Sequence, residues 1–225
     1  MSLVDKLFRL DGSLAVINGG AGRIGSKIAE AFVVAGATTV ILDLSEEAGN
    51  KAVSWINEQS ESERAFFAQV DSTDRAALDR VCERVVDQHG PVATLVNAIQ
   101  FRGSGFYGSN PAEHSLEAWD NVLQVNLTGV FLACQAFYEA MKAAGGGTII
   151  NLASTYGVVS ADPRIYGDSG VNSPISYGTS KAAILNLTRY LAVHWRGDGI
   201  RVNCLVPGGV FDNQDDDFVD AYNEI

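Results

Sequence analysis

The chain has 225 residues, 47% hydrophobic and 19% charged, which suits one large domain with a substantial core and excludes disorder over most of its length. No run approaches the ~18 apolar residues that span a bilayer, so no membrane is expected as a partner. A net charge of −11 repels phosphate backbones and argues against nucleic acid.

The segment Met1 to Leu10 carries Asp5, Lys6 and Arg9 among its apolar residues and lacks the apolar core of a secretion signal. Beyond it, short aliphatic runs alternate with longer helical patterns. A strand is predicted over Leu14–Asn18 and a helix over Ile24–Ala35. Strand Thr39–Asp43 precedes helix Glu46–Gln59, and Ala65–Val70 precedes Asp74–Gln88. Ala93–Asn97 precedes one long helix, Ser115–Ala144. Thr148–Leu152 precedes Ser176–Trp195, and Arg201–Leu205 is the sixth strand. Most strands are near-continuous apolar runs, as strands buried on both faces read. The alternation predicts right-handed βαβ units, and so an α/β fold: a Rossmann-type, three-layer, doubly wound parallel sheet in a single domain over residues 1–225. Ligands of such sheets bind at the carboxyl ends of the strands, near the switch in strand order.

The residues after each strand therefore carry the functional reading. After the first come Asn18-Gly19-Gly20-Ala21-Gly22-Arg23-Ile24-Gly25. Glycines here permit a tight turn and close approach of a pyrophosphate to a helix N-terminus, which makes Gly19, Gly22, Arg23, Ile24 and Gly25 candidate cofactor contacts. Two registers fit: Gly20, Gly22 and Gly25 as G-x-G-x-x-G, or Gly19, Gly22 and Gly25 as G-x-x-G-x-x-G. A plain structural turn would use the same glycines. Asp43, followed by Leu44, closes the second strand. A carboxylate there accepts from ribose hydroxyls and repels a 2′-phosphate, which favours NAD, while Arg23 is a counter-signal that keeps NADP open. Asp71 and Ser72 after the third strand, and Asn97 and Ala98 after the fourth, lie on the same edge, where ordinary turn chemistry is the competing explanation.

The long helix has a predicted inward stripe of Leu116, Trp119, Leu123, Leu127, Val130, Cys134, Phe137 and Met141. Asn126 points close to that stripe and must be satisfied if buried, either by backbone alone or as a water-holding residue beneath a site. Ser154 follows the fifth strand. Tyr177 and Lys181, four apart, share a helix face. A phenol titrates near 10, and a neighbouring ammonium would favour the phenolate, so that Tyr177 could take a proton from an alcohol while a nicotinamide takes the hydride.

These residues resemble the short-chain dehydrogenase/reductase family over essentially the whole chain. Asn18 to Gly25 looks like its T-G-x-x-x-G-x-G loop. Tyr177 and Lys181 match its Y-x-x-x-K, Ser154 its serine and Asn126 its helix asparagine. Arg201-Val202-Asn203-Cys204-Leu205-Val206-Pro207-Gly208 is similar to its sixth-strand stretch, which implies cofactor contacts at Pro207, Gly208 and Val210. The resemblance implies Tyr177 as base, Lys181 as its tuner and holder of the nicotinamide ribose, Ser154 as orienter of the substrate oxygen and Asn126 as a proton-relay water site. Departures stand beside it. Asn18 replaces the usual Thr, Arg23 the middle Gly, and Asn97-Ala98-Ile99-Gln100 the family's N-N-A-G. Asp212 stands where a Thr often meets the carboxamide. Twenty-two residues separate Ser154 and Tyr177, against about a dozen in most members, and the chain ends near the substrate loop, which implies an incomplete C-terminal substrate segment.

The inserted loop Gly157–Pro174 and the stretch after Pro207 resemble a narrower group associated with flagellin modification and sialic-acid-like sugar biosynthesis. There the small-molecule substrate would be a sugar or nucleotide sugar, with Ser154, Tyr177 and Arg164 of the inserted loop as substrate contacts. Two alternatives remain: a sugar-nucleotide epimerase or dehydratase using bound NAD, and a non-catalytic dinucleotide-binding protein. The family and the apolar residues Phe131, Tyr138 and Leu187 on the long helices imply a homo-oligomer, tetramer or dimer. Cys82, Cys134 and Cys204, odd in number and widely spaced, suggest no metal and no disulfide, and with the missing signal they point to the cytoplasm. The acidic run from Phe211 to Ile225 is expected to be solvated surface.

Overall fold

A computed structural model describes residues 7–104, 106–107, 110–167 and 172–224. Residues 1–6 of the N-terminal segment, residues 168–171 of the inserted loop and Ile225 of the acidic run therefore lie outside the described residues.

Six strands form one parallel sheet: β1 (Leu14–Asn18), β2 (Thr38–Asp43), β3 (Ala65–Gln69), β4 (Val92–Asn97), β5 (Gly147–Leu152) and β6 (Ile200–Leu205). Their order is β3-β2-β1-β4-β5-β6, so the chain reverses direction across the sheet between β1 and β4. That reversal opens the crevice where such sheets take ligands. The helices are α1 (Arg23–Val34), α2 (Glu46–Gln59), α3 (Arg75–His89), α4 (Leu116–Leu123), α5 (Val130–Ala143), α6 (Ile175–His194) and α7 (Asp216–Asn223). The predicted α/β doubly wound architecture is the one observed, and strand and helix ends differ from the sequence reading by a residue or so.

Period two sorts the strand side chains into two cores. Leu14 and Val16 of β1 face a layer built from α3, α5 and α6, with Leu78, Phe137 and Ile184 at its centre. Ala15 and Ile17 face the other way, onto Ala29 and Val33 of α1 and Ile56 of α2. Burying Phe137 fully contributes about 2 kcal/mol. Caps set the helix starts: Ser45 accepts from the Ala48 amide and Asp74 from the Ala77 amide, each contributing about 1 kcal/mol.

The predicted single helix Ser115–Ala144 is corrected. It is α4 and α5 joined by a π-helical stretch, Gln124–Gly129. A π turn holds one residue more than an α turn. The inward face upstream of it is therefore displaced by one: Ala118, Val122 and Asn126 are buried, rather than Trp119, Leu123 and Leu127. Leu116, placed inside by the 3.6-residue period, is 72% exposed. Downstream, Val130, Cys134, Phe137 and Met141 are buried as predicted.

The acidic run is not wholly loose surface. Asp215 caps α7 by accepting from the Phe218 amide, and Asp212 is drawn into an ion pair. Among the described residues, no helix is long and apolar enough to cross a membrane.

Candidate active site

The carboxyl edge of the sheet gathers the residues singled out in the sequence. After β1 the chain turns at Gly19, whose positive φ of 79° and packing leave no room for a side chain: a Cβ there would lie 2.7 Å from the Ile99 amide nitrogen. Gly25 is as constrained, since a Cβ would stand 2.2 Å from the Gly19 carbonyl oxygen. These glycines press the loop against the N-terminus of α1. That terminus has Gly22 as its cap, with no acid in its first turn and, unlike α2 and α3, no side-chain cap. Its first amides suit an anion brought from outside, such as a diphosphate. Ile24 packs into the core, while Gly22 and Arg23 face out.

Asp43 ends β2 and its carboxylate accepts from the Ala21 amide at 3.2 Å and the Ser45 amide at 3.3 Å. It thus ties the glycine loop to the end of β2, with exposed Leu44 beside it. Asp71 holds its own turn, accepting from the amide and hydroxyl of Thr73.

Beneath this edge runs a chain of buried side chains. Pairing register sets Asn18, Asn97 and Asn151 side by side across β1, β4 and β5. The Ser72 hydroxyl donates to Asn18 Oδ1 (2.7 Å), and Asn18 Nδ2 donates to Asn97 Oδ1 (3.1 Å). Asn97 Nδ2 donates to Asn151 Oδ1 (2.9 Å), and Asn151 Nδ2 to the Thr188 hydroxyl (3.0 Å). Thr188 closes the chain by donating to the Ile184 carbonyl (2.8 Å). All five are buried, and every link donates in the same sense. Asn97 therefore has its side chain committed beneath the site, and any contact it offers a cofactor falls to its backbone. Ala98 likewise pairs its amide with the Asn18 carbonyl.

Ser154 follows β5, and the start of α6 brings Tyr177 to it, hydroxyl to hydroxyl. Burial pushes the Tyr177 phenol above its ordinary value. The Ser154 hydrogen bond and the charge of Arg102 pull it back, and Tyr166 adds to the rise. The expected lowering by Lys181 is corrected. Lys181 is 3% exposed and its Nζ donates to the Leu152 carbonyl at 2.9 Å, 5.8 Å from the centre of the Tyr177 ring. Burial also depresses its own ammonium to about 8. A cation that is itself hard to keep charged, and turned toward a carbonyl, does little for the phenolate.

Asn126, in the π-helical stretch, accepts from the Phe101 amide (2.7 Å) and donates to the Ser180 hydroxyl (3.2 Å). Ser180 in turn donates to the Tyr177 carbonyl. The asparagine thus clamps the turn of α6 that carries Tyr177 and Lys181. Pro207 lies beside the same cluster, its carbonyl accepting from the Thr155 amide at 3.1 Å. Gly208 is also exposed, and Val210 is 45% exposed. Arg164 stands apart, its side chain 76% exposed and paired with Asp162.

Several residues at the site were not read from sequence. Arg102 bears on Tyr177, and the buried Phe106 ring meets the Tyr177 ring edge-on at 6.0 Å. Tyr156 hydrogen-bonds Tyr166, whose ring is 5.7 Å from Phe218. The available signal was position: Arg102 and Phe106 follow β4, and Tyr156 follows Ser154, on the ligand-facing edge.

A family model described as short chain dehydrogenase matches residues 13–218. D-threitol dehydrogenase of Mycolicibacterium smegmatis is 34% identical over 205 residues, 91% of this chain and 72% of that protein. Galactitol 2-dehydrogenase of Rhizobium johnstonii is 35% identical over 204 residues, 89% of this chain and 72% of that protein. Among solved structures, a short chain dehydrogenase of Leptospira borgpetersenii with bound NAD+ is similar with a TM-score of 0.82 and 32% identity, covering 99% of this chain and 80% of that one.

Proposed function

The chain belongs to the short-chain dehydrogenase/reductase family, whose members act on CH–OH groups with a nicotinamide cofactor, and we propose that it oxidises a secondary alcohol of a polyol or sugar with NAD, Tyr177 taking the hydroxyl proton. It is an NAD(P)-dependent oxidoreductase by that membership. The observation that carries the residue assignment is the meeting of Ser154 and Tyr177 hydroxyls above a buried Lys181. When bound, the nicotinamide supplies the hydride acceptor.

In this reading the uncapped start of α1 and its glycines (Gly19, Gly22 and Gly25) hold the diphosphate, with Ile24 seating the helix below. Asp43 and Leu44 meet the adenosine ribose, and Asp71, Ser72 and the Asn97–Ala98 backbone border the adenine side. Lys181 holds the nicotinamide ribose, and Pro207, Gly208 and Val210 cover the ring. Ser154 orients the substrate oxygen by hydrogen bonding, Tyr177 removes its proton, and Asn126 keeps the Tyr177 turn in place beside a water path. NAD is preferred to NADP because Asp43 presents a carboxylate, while Arg23, a countering cation, is paired with Asp212.

The named relatives act on polyols, and that class is proposed here in place of a nucleotide sugar. Arg164, exposed and paired, is the weaker candidate for a substrate contact, and Arg102 is the stronger. A homo-oligomer built on the α5 and α6 faces is also proposed. Phe131 is 37% exposed there, while Tyr138 is already stacked on Trp195 and bonded to Asp198. Three free thiols support a cytoplasmic setting.

The test is titration with NADH and NADPH by nicotinamide fluorescence, followed by NAD-linked oxidation of a panel of four- to six-carbon polyols. NADH binding about tenfold or more tighter than NADPH, with turnover of at least one polyol, is expected. Tighter NADPH binding would overturn the Asp43 argument.

A further inference from the structure

Two departures from the family pattern meet in space. Arg23 stands where the middle glycine of the loop is usual, and Asp212 stands in the stretch after β6. The structure pairs them as an ion pair, their side chains 53% and 34% exposed. Three strand intervals separate β1, which leads into Arg23, from β6, which leads toward Asp212, a distance of about 14 Å. Residues 206–212 must therefore run back over the ends of β5 and β4 to reach α1. They are held at their start, where Pro207 accepts from the Thr155 amide, and at Gly209, whose amide donates to the Tyr222 hydroxyl at 2.8 Å. Beyond that, Val210 and Phe211 stay exposed, Phe211 by 66%. The far end is caught by Arg23.

We propose that Arg23 and Asp212 are the catch of a strap, residues 206–212, that closes over the bound dinucleotide and sets how fast it leaves; this rests on reading the crevice as a nicotinamide dinucleotide site. The electrostatics fit the role. A guanidinium has five N–H donors and can serve a diphosphate and a carboxylate at once. Asp212 alone, facing the same diphosphate, would repel it. The acid is tolerable at this mouth only with Arg23 between, so the two residues act as a unit. Their effects on cofactor release are then strongly non-additive.

The experiment is stopped-flow release of NADH from the full chain, chased with excess NAD+, for the unchanged protein, Asp212→Asn, Arg23→Ala and the double variant. Thermal unfolding confirms that each is folded. Opening an exposed pair in Asp212→Asn should speed release about threefold. Arg23→Ala should speed it more, because Asp212 is left unscreened. The double variant should release more slowly than Arg23→Ala alone. Release that is unchanged or slower in Asp212→Asn overturns the catch. An Arg23→Ala effect equal in both backgrounds also overturns it, since Arg23 would then act on phosphate alone. Failure of the unchanged protein to bind NADH would overturn the dinucleotide reading and the catch with it.

Discussion

Replacing Asn97 with alanine cuts the buried hydrogen-bonded chain at its middle link. Three bonds are lost, the 3.1 Å bond from Asn18 Nδ2, the 2.9 Å bond to Asn151 Oδ1 and a weak 3.4 Å bond to Cys134 Sγ. Alanine offers neither an acceptor nor a donor to two neighbours that are fully buried. A buried polar atom left without its partner costs about 1–3 kcal/mol; Asn18 Nδ2 is left so, Asn151 Oδ1 keeps only a weak 3.8 Å bond from Cys134 Sγ, and a small cavity opens besides. The expected loss is about 4 kcal/mol, a large share of the roughly 5–15 kcal/mol that holds such a domain together. Ser72→Ala, at the edge of the chain, removes one donor next to the surface and should cost about 1 kcal/mol. Asn97→Asp should be no better than alanine, because a carboxylate can accept from Asn18 but presents an acceptor to the acceptor of Asn151. Urea unfolding followed by far-ultraviolet circular dichroism, with an unchanged m-value, measures all three. If Asn97→Ala cost under about 1 kcal/mol, or no more than Ser72→Ala, the view of these bonds as one dry, connected chain would fail.

Tyr177→Phe should lower turnover at least about a hundredfold, the size of a lost acid/base, while NADH affinity stays within about twofold; retained turnover would remove Tyr177 as the base. Arg102→Gln takes away a positive charge that favours the phenolate, so the alkaline rise of the oxidation rate should move to higher pH. A pH profile of kcat/KM that does not move would dismiss Arg102 from the site. Lys181 is depressed to about 8 in the folded chain against an ordinary 10.5. The unfolded chain therefore binds more protons between those values, and Lys181 makes stability rise as pH increases from about 8 toward 10. Urea midpoints of the free protein, compared with Lys181→Met, check the sign: the variant should lose that rise.

The sheet was legible because its strands are buried on both faces and its turns are marked by glycine and acid. Leu14–Asn18 and Glu46–Gln59 were placed to the residue. The helix faces were less so: a one-residue excess in Gln124–Gly129 has no signature in a 3.6-residue pattern, and Leu116 was put inside for that reason. Ser154, Tyr177, Lys181 and Asn126 could be found by spacing and strand position. Their electrostatics could not. Two residues four apart on a helix are neighbours, but only the packing decides that Lys181 turns to the Leu152 carbonyl. Arg102 and Phe106 lie in a loop, which carries no period, Tyr166 ends a short 3-10 turn, and no sequence pattern relates Arg23 to Asp212, 189 positions apart.

The uniform sense of the buried chain also dictates chemistry at its outer end. A backbone carbonyl can only accept, so the Ile184 oxygen obliges Thr188 to donate, which obliges Asn151 to turn its amide nitrogen toward Thr188, and so on to β1. The polarity chosen at a helix on one side of the sheet thus reaches Ser72 on the other. There the hydroxyl proton is already spoken for by Asn18. What Ser72 shows to the crevice is lone pairs alone, so any ligand atom that meets it there must bring the proton.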